Sequence, residues 1–342
     1  MGETMNYTAF DRFKDALKGR PRDRVPVLGG ISLWAATNFP EASYKEIASD
    51  PDLIVKSQLW AHELIGIDAL YPAPDALFIA EAFGCRIRFS ETGPLVDPLP
   101  LSLDHRKDVE SVVFPNPRAS GRFPVVLEAA RILSKEAKGE IPLIGTFEGA
   151  FTNTCRIIEV EQILRMTYKK PQVLDELLDR MNAFLIDFAM AFVESGVNLL
   201  FIPEPTASSS MISPKMFRRF VLPRLQSVTS QLDVPVVLHI CGDTKPILKA
   251  MGESGAEILS LDQCMDLAES RAAVPTMSLG GNVDPVKSLL MGDTAEVEKD
   301  AHHCLRKAGT DRFILMPGCG IPPNAPTENL KAMVKAAEDF GL

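Results

Sequence analysis

The chain of 342 residues has no apolar run long enough to cross a membrane, because charge, proline or glycine interrupts every hydrophobic stretch. Nor do residues 1–20 offer a signal-peptide hydrophobic region. They carry Asp11, Arg12, Lys14 and Asp15 inside an amphipathic pattern. Positive charge is in deficit: a net charge of -9 argues against nucleic acid as the main partner and against a polybasic membrane surface. The six cysteines (Cys85, Cys155, Cys241, Cys264, Cys304 and Cys319) lack framework spacing, which points to packing or metal binding in a reducing, cytoplasmic setting. Two common chemistries are missing. Ser208, Ser209 and Ser210 have no GxSxG elbow and no nearby histidine, and read as the loop before a helix capped by Ser213 and begun by Pro214. Gly280 and Gly281 lack the GxGxxG or P-loop context that a phosphate site requires.

What the chain does have is one unit repeated. Phe10, Phe13, Ala16 and Leu17 mark an N-terminal helical face that stops at Gly19. Thereafter short apolar strands alternate with polar loops and helical stretches. The strands are expected at 25–29, 67–71, 142–147, 198–203, 235–240, 257–261, 277–281 and 312–316. Eight such units predict an α/β fold, a (β/α)8 TIM barrel with an N-terminal helical extension, in one domain spanning 1–342. Gly84 to Pro117 breaks the rhythm and reads as a hairpin and loop inserted after the second strand.

A barrel collects its chemistry at the C-terminal ends of its strands. Glu148 and Glu204 follow the third and fourth. His239 and Cys241 close the fifth, and alternation puts both side chains on one side of the strand end. Asp262 ends the sixth, Asn282 and Asp284 follow the seventh, and Cys319 follows the eighth within MPGCG. One imidazole and two thiolates suit a catalytic zinc ion, with three protein ligands and one position left for substrate. The competing reading is a buried histidine with two inert core cysteines. Glu204 is read either as a support for His239 or as a plain rim carboxylate. His302 and His303, with Cys304, read as part of a late helix.

Several segments together carry a resemblance: RPRDRVPV, EAFGC at 81–85, PEPTASSSMISPKMFRRFVLPRL, HICGDT, LSLDQ, GGNVDP and PGCGIPPNAPTENLKAMVKAA. Over nearly its whole length the chain resembles the zinc-dependent methylcobamide:coenzyme M methyltransferases, a branch of the uroporphyrinogen decarboxylase superfamily. HICGDT with PGCG is the signature of that branch. The resemblance implies that His239, Cys241 and Cys319 hold one zinc ion and, with Asp262, form the catalytic set. Asp262 is either a fourth ligand, as the similar barrel of cobalamin-independent methionine synthases suggests, or a hydrogen-bonding support. Asn282 and Asp284 are the candidates for cofactor contact. The decarboxylase branch carries an arginine-containing loop after its first strand. Here that loop reads GGISLWAATNF, which has no arginine for a polycarboxylate porphyrinogen.

By the same resemblance, the reaction moves a methyl group from methylcobalamin to a small thiol such as coenzyme M. Two thiolates and a neutral imidazole balance the charge of Zn2+, so an added substrate thiolate makes the site anionic and keeps the sulfur nucleophilic. The chain lacks a DxHxxG element to ligate cobalt, so a methylated corrinoid protein is the expected partner. Another acceptor, transfer in the reverse direction, porphyrinogen-type decarboxylation or a non-catalytic zinc protein in a corrinoid assembly are the alternatives. The Ile31–Phe39 and Thr206–Ile212 loops are the expected rim of the site.

Overall fold

A computed structural model describes residues 7–90, 93–99, 101 and 106–341. The N-terminal helix forms at Ala9–Leu17, with Thr8 accepting from the Asp11 amide as its cap. The inserted segment begins as an antiparallel hairpin, β1 (Arg86–Ser90) and β2 (Gly93–Asp97), in which Arg88 pairs with Leu95. Part of the predicted insertion, 91–92, 100 and 102–105, lies outside the described residues.

Six parallel strands then follow in chain order: β3 (Ile144–Thr146), β4 (Leu199–Pro203), β5 (Val236–Ile240), β6 (Ile258–Leu261), β7 (Ser278–Val283) and β8 (Phe313–Pro317). All five residues of β5 and of β8 are buried, as expected of parallel strands covered on both faces. The remaining two barrel positions are only single bridges, Val27 to Leu315 and Leu70 to Leu143. They nevertheless close the ring. Leu315 N–H donates to Pro26 O, Leu28 N–H to Leu315 O, Asp68 N–H to Val27 O, and Leu70 N–H to Pro142 O. Longer ladders fail here for a local reason: Pro26 has no N–H, and the Val27 N–H donates to the Asp68 side chain instead of a strand. Asp68 is itself buried between Arg12 and Arg24, at 2.7 Å from each. The predicted strands at 25–29 and 67–71 are therefore present as barrel staves without regular pairing.

The outer layer packs aromatic side chains between helices. Phe123 lies 4.9 Å from Phe188, and Phe188 lies 4.6 Å from Phe192 between ring centroids. Inside the barrel, a Cβ at Gly280 would lie 2.5 Å from Met316 Sδ, so this glycine serves β7–β8 packing, consistent with its lack of phosphate-binding context.

Candidate metal centre and its cavity

His239 is the fourth residue of β5, and Cys241 is the first beyond it. Cys319 lies two residues past β8. Closure of the barrel brings these ends together: one ligand atom from each of the three residues lies within 4.8 Å of the others. His239 Nε2 is 3.3 Å from Cys241 Sγ, which is 3.7 Å from Cys319 Sγ. The other ring nitrogen, Nδ1, lies 3.2 Å from both the carbonyl and the hydroxyl oxygen of Ser260 on β6. A proton on Nδ1 donated to that carbonyl leaves the Nε2 lone pair facing the two sulfurs, the arrangement of a metal-ligating histidine. Phe201 on β4 stacks along the imidazole at 5.9 Å, fixing the ring plane.

The donor set fits a soft divalent cation. The Cys319 thiol is held well below its ordinary value, chiefly by a hydrogen bond from the Cys241 thiol. Cys241 keeps the shared proton and is pushed upward, chiefly by that same bond and then by burial. A thiolate, a second sulfur and an imidazole lone pair on one point suit zinc with one position left open.

Two glycines allow the ligand loops to meet. Gly242 adopts φ 77°, the left-handed region, and its N–H donates to Asp262 Oδ2 at 2.7 Å. Gly318 lies so close to the β6 loop that a Cβ would be 2.4 Å from the Gln263 nitrogen. Asp262 accepts from the Gly242 and Cys264 amides, so each of its oxygens binds a backbone N–H. Its carboxylate is not among the converging atoms; it ties the turn after Cys241 to the turn after β6.

The three donors lie in a cavity of about 650 Å3. Its walls include Leu33, Leu77, Leu95 and Ile321, and its polar groups include Glu148 and Arg156. Glu148 follows β3 and is buried. Arg156, on the helix Ala150–Ile157, reaches it through Nε at 3.0 Å and Nη2 at 2.7 Å. Arg156 was not legible as a site residue, because a lone arginine on a helix reads as a solvated charge.

The uroporphyrinogen decarboxylase family model matches residues 8–340. The chain belongs to the uroporphyrinogen decarboxylase family. Within it, the chain is 31% identical over 342 residues to the methylcobamide:CoM methyltransferase MtaA of Methanosarcina barkeri, covering 98% of each. A solved structure of a methyltransferase from Methanosarcina mazei superposes with a TM-score of 0.90 at 33% identity, over 98% of this chain and 99% of that one. A uroporphyrinogen decarboxylase of Pelobacter propionicus is 29% identical over 96% of this chain and 98% of its own. Both branches of the family are thus represented among the relatives.

The segment that follows the first barrel stave holds a helix, Ser32–Asn38, tied down by Trp34 Nε1 donating to Ala325 O at 2.8 Å. The expected rim loop at Ile31–Phe39 is therefore mostly helical, and it gives Ser32 and Leu33 to the cavity. The Thr206–Ile212 segment gives none of its residues to the cavity; the preceding Pro205 is the nearest contributor in sequence. The short 3-10 turn Pro205–Ala207 takes the chain away from the mouth toward the capped start at Ser213, which accepts from the Met216 amide.

Other strand-end residues have different duties. Glu204 meets His239 only through its backbone N–H, which donates to the His239 carbonyl at 2.8 Å, and its side chain neither reaches the imidazole nor stands at the rim. It is buried and accepts from the Phe151 and Thr152 amides at the start of the Arg156 helix. Burial raises its carboxyl to about 7 despite those bonds. Asn282 Nδ2 donates to the Asp262 and Met265 carbonyls, and Asp284 Oδ1 accepts from the Val286 and Lys287 amides. The structure does not bring these two residues to the metal centre. They line a separate groove with Cys264, His303 and Cys304, because their side chains are spent on the loops that follow β6 and β7. His302 packs against the Phe340 ring and His303 is exposed, as expected of residues on a late helix.

Proposed function

We propose that this chain is a zinc-dependent methyltransferase that carries a methyl group from a methylated corrinoid, held by a separate protein, to the sulfur of a small thiol. The observation that carries this reading is the convergence of His239 Nε2, Cys241 Sγ and Cys319 Sγ within 4.8 Å in a largely apolar cavity. Zinc held by these three donors would lower the pKa of an acceptor thiol and present its sulfur as the nucleophile. Coenzyme M is the acceptor in the name of the Methanosarcina barkeri relative, and it is the first acceptor to test here.

The chain's own residues do the positioning. Ser260 holds the His239 tautomer, and Asp262 anchors the turn that carries Cys241. Leu33, Leu95 and Ile321 give the reacting sulfur apolar neighbours in the cavity. A methylated corrinoid brought to this cavity would supply the methyl group: the C–S bond would form at the expense of the Co–C bond, whose electron pair would leave with the corrinoid, and the thiol proton would pass to solvent. Decarboxylation of a porphyrinogen is disfavoured. Among the described residues lining this cavity, the side chains with a permanent positive charge are Arg88 and Arg156, and each already faces a carboxylate. No helix among the described residues is long and apolar enough to cross a membrane. Six unpaired cysteines suit the reducing cytoplasm in which we place the protein.

The test is spectroscopic. Zinc-loaded protein with methylcobalamin and 2-mercaptoethanesulfonate should convert the spectrum to that of cob(I)alamin, slowly, because free cofactor lacks the docking surface of its carrier. Failure to demethylate the corrinoid with any of a panel of thiols, together with decarboxylation of a tetrapyrrole acid, would overturn the reading.

A further inference from the structure

The groove that Asn282 and Asp284 line is formed by the loops after β6 and β7 and by the helix Thr294–Ala308, and it encloses about 580 Å3. That volume is in the range of small-molecule sites. Four acids and four permanent cations line it, on a chain whose net charge is -9. The two sets differ in what they face. Asp284 Oδ1 accepts from the Val286 and Lys287 amides, and Asp300 Oδ2 from the Asp284 amide and the Ser288 hydroxyl. Glu296 Oε2 accepts from the Asp293 amide, and Asp266 Oδ1 from the Glu269 amide. Every one of these carboxylates is committed to a turn or a helix start. Of the cations, Lys307 faces Asp266 at 3.4 Å. The side chains of Lys287, Lys299 and Arg306, and the His303 ring, have no hydrogen-bond or ion-pair partner among the described residues.

Helix stability accounts for only part of this set. Arg306 stands in the last turn, where a cation suits the helix dipole. Lys299 and His303 stand earlier in the helix, and Lys287 belongs to the loop after β7, so none of these has that duty. Lys299, His303 and Arg306 follow one another at i, i+4 and i+7, which places them on one helix face over roughly 10 Å. Lys287 joins them from a second element. A ligand with a single charge would engage one or two of these groups. A chain of two or three phosphates has the oxygens and the charge to meet all four. Met265 and Leu267 also line the groove and offer apolar contact to an attached organic group. We propose that this groove binds a small polyphosphate, free or as the di- or triphosphate of a nucleotide, through Lys287, Lys299, His303 and Arg306. The site goes beyond the function proposed above and does not depend on it.

The test is direct binding to the zinc-loaded protein, read by calorimetry and by phosphorus NMR line width. The probes are inorganic triphosphate, ATP, orthophosphate and a hexaglutamate peptide. Triphosphate should bind with a Kd of about 1 mM or tighter, and orthophosphate about 10-fold more weakly or not at all. The double variant Lys299→Gln/Arg306→Gln should weaken triphosphate by about 10-fold or more, the scale of two charge-assisted contacts. Removing two exposed cations elsewhere, in Lys56→Gln/Lys135→Gln, should leave the affinity unchanged. All four substituted side chains are exposed, so both variants should keep the wild-type circular dichroism. ATP binding more tightly than triphosphate would seat a nucleoside in the groove, and equal affinity would assign the site to the phosphate chain alone; either result supports the proposal. No triphosphate binding at about 5 mM would overturn it. So would binding that survives Lys299→Gln/Arg306→Gln, which would place the anion at the metal centre or elsewhere. Hexaglutamate binding more tightly than triphosphate would also overturn it and give the groove to an acidic protein segment.

Discussion

The Nδ1 atom of His239 lies 3.2 Å from the main-chain carbonyl of Ser260, one strand away in the barrel. The protein backbone itself thus sets the tautomer and turns Nε2 toward Cys241 and Cys319. The orienting acceptor is part of the β5–β6 pairing, so no side-chain substitution removes it. The imidazole is consequently held as firmly as the pairing of β5 with β6.

The centre should hold one zinc ion per chain. Cys241→Ala and Cys319→Ala should each abolish stoichiometric binding, measured by plasma emission after desalting, while their circular dichroism stays that of the wild type. The barrel core does not need the metal in order to fold. Replacing Cys85, Cys155 or Cys304, which are buried elsewhere, should leave one zinc per chain. So should replacement of Cys264, which lines the separate groove.

Asp262→Ala separates the two roles open to that carboxylate. Its oxygens bind the Gly242 and Cys264 amides, so its removal should loosen the Cys241 turn and weaken zinc affinity by about 10- to 100-fold without changing the stoichiometry. Competition with a chromogenic chelator reads this directly. Outright loss of the metal, or an oxygen ligand that disappears from the zinc absorption spectrum of the variant, would make Asp262 a direct ligand.

Much of this centre was legible in the sequence, and the reason is geometric. HxC at the end of a strand puts two donors on one side through simple alternation, and PGCG at another strand end supplies the third once the strands close into a ring. Strands β3 to β8 lie within two residues of the predicted stretches because buried parallel strands are continuously apolar. Longer-range relations were hidden. Pairing of Arg156 with Glu148 depends on where a helix lands, and Glu204 depends on which helix start it meets. Asn282 and Asp284 sit at a strand end yet face away from the mouth, since the rule that strand ends carry the chemistry says nothing about which way a loop turns. The Ile31–Phe39 segment lacks a side-chain helix cap, so it read as a loop although tertiary contacts such as Trp34 to Ala325 make it helical.

Glu204 gives the fold a pH dependence of predictable sign. Its folded carboxyl is raised to about 7 by burial, above its ordinary value. Between the unfolded and the folded value the folded state holds the proton and the unfolded state does not. The contribution is therefore fully present at low pH and is lost as pH rises toward 7, at no more than about 1.4 kcal/mol per pH unit. Urea unfolding of wild type and Glu204→Gln between pH 5 and about 7.5 should show a stability difference that shifts in favour of the variant as pH rises. A difference that stays constant across this range would show that Glu204 is ionised throughout.

The account turns on whether the acceptor's sulfur joins His239, Cys241 and Cys319 at the metal. Zinc K-edge absorption of the loaded protein should show two sulfurs at about 2.3 Å together with lighter ligands. Saturating 2-mercaptoethanesulfonate should replace one light ligand with a third sulfur at about the same distance. A zinc shell that stays unchanged with that thiol and with every other acceptor the protein methylates would contradict the account, because the metal would then serve the fold and not the reaction.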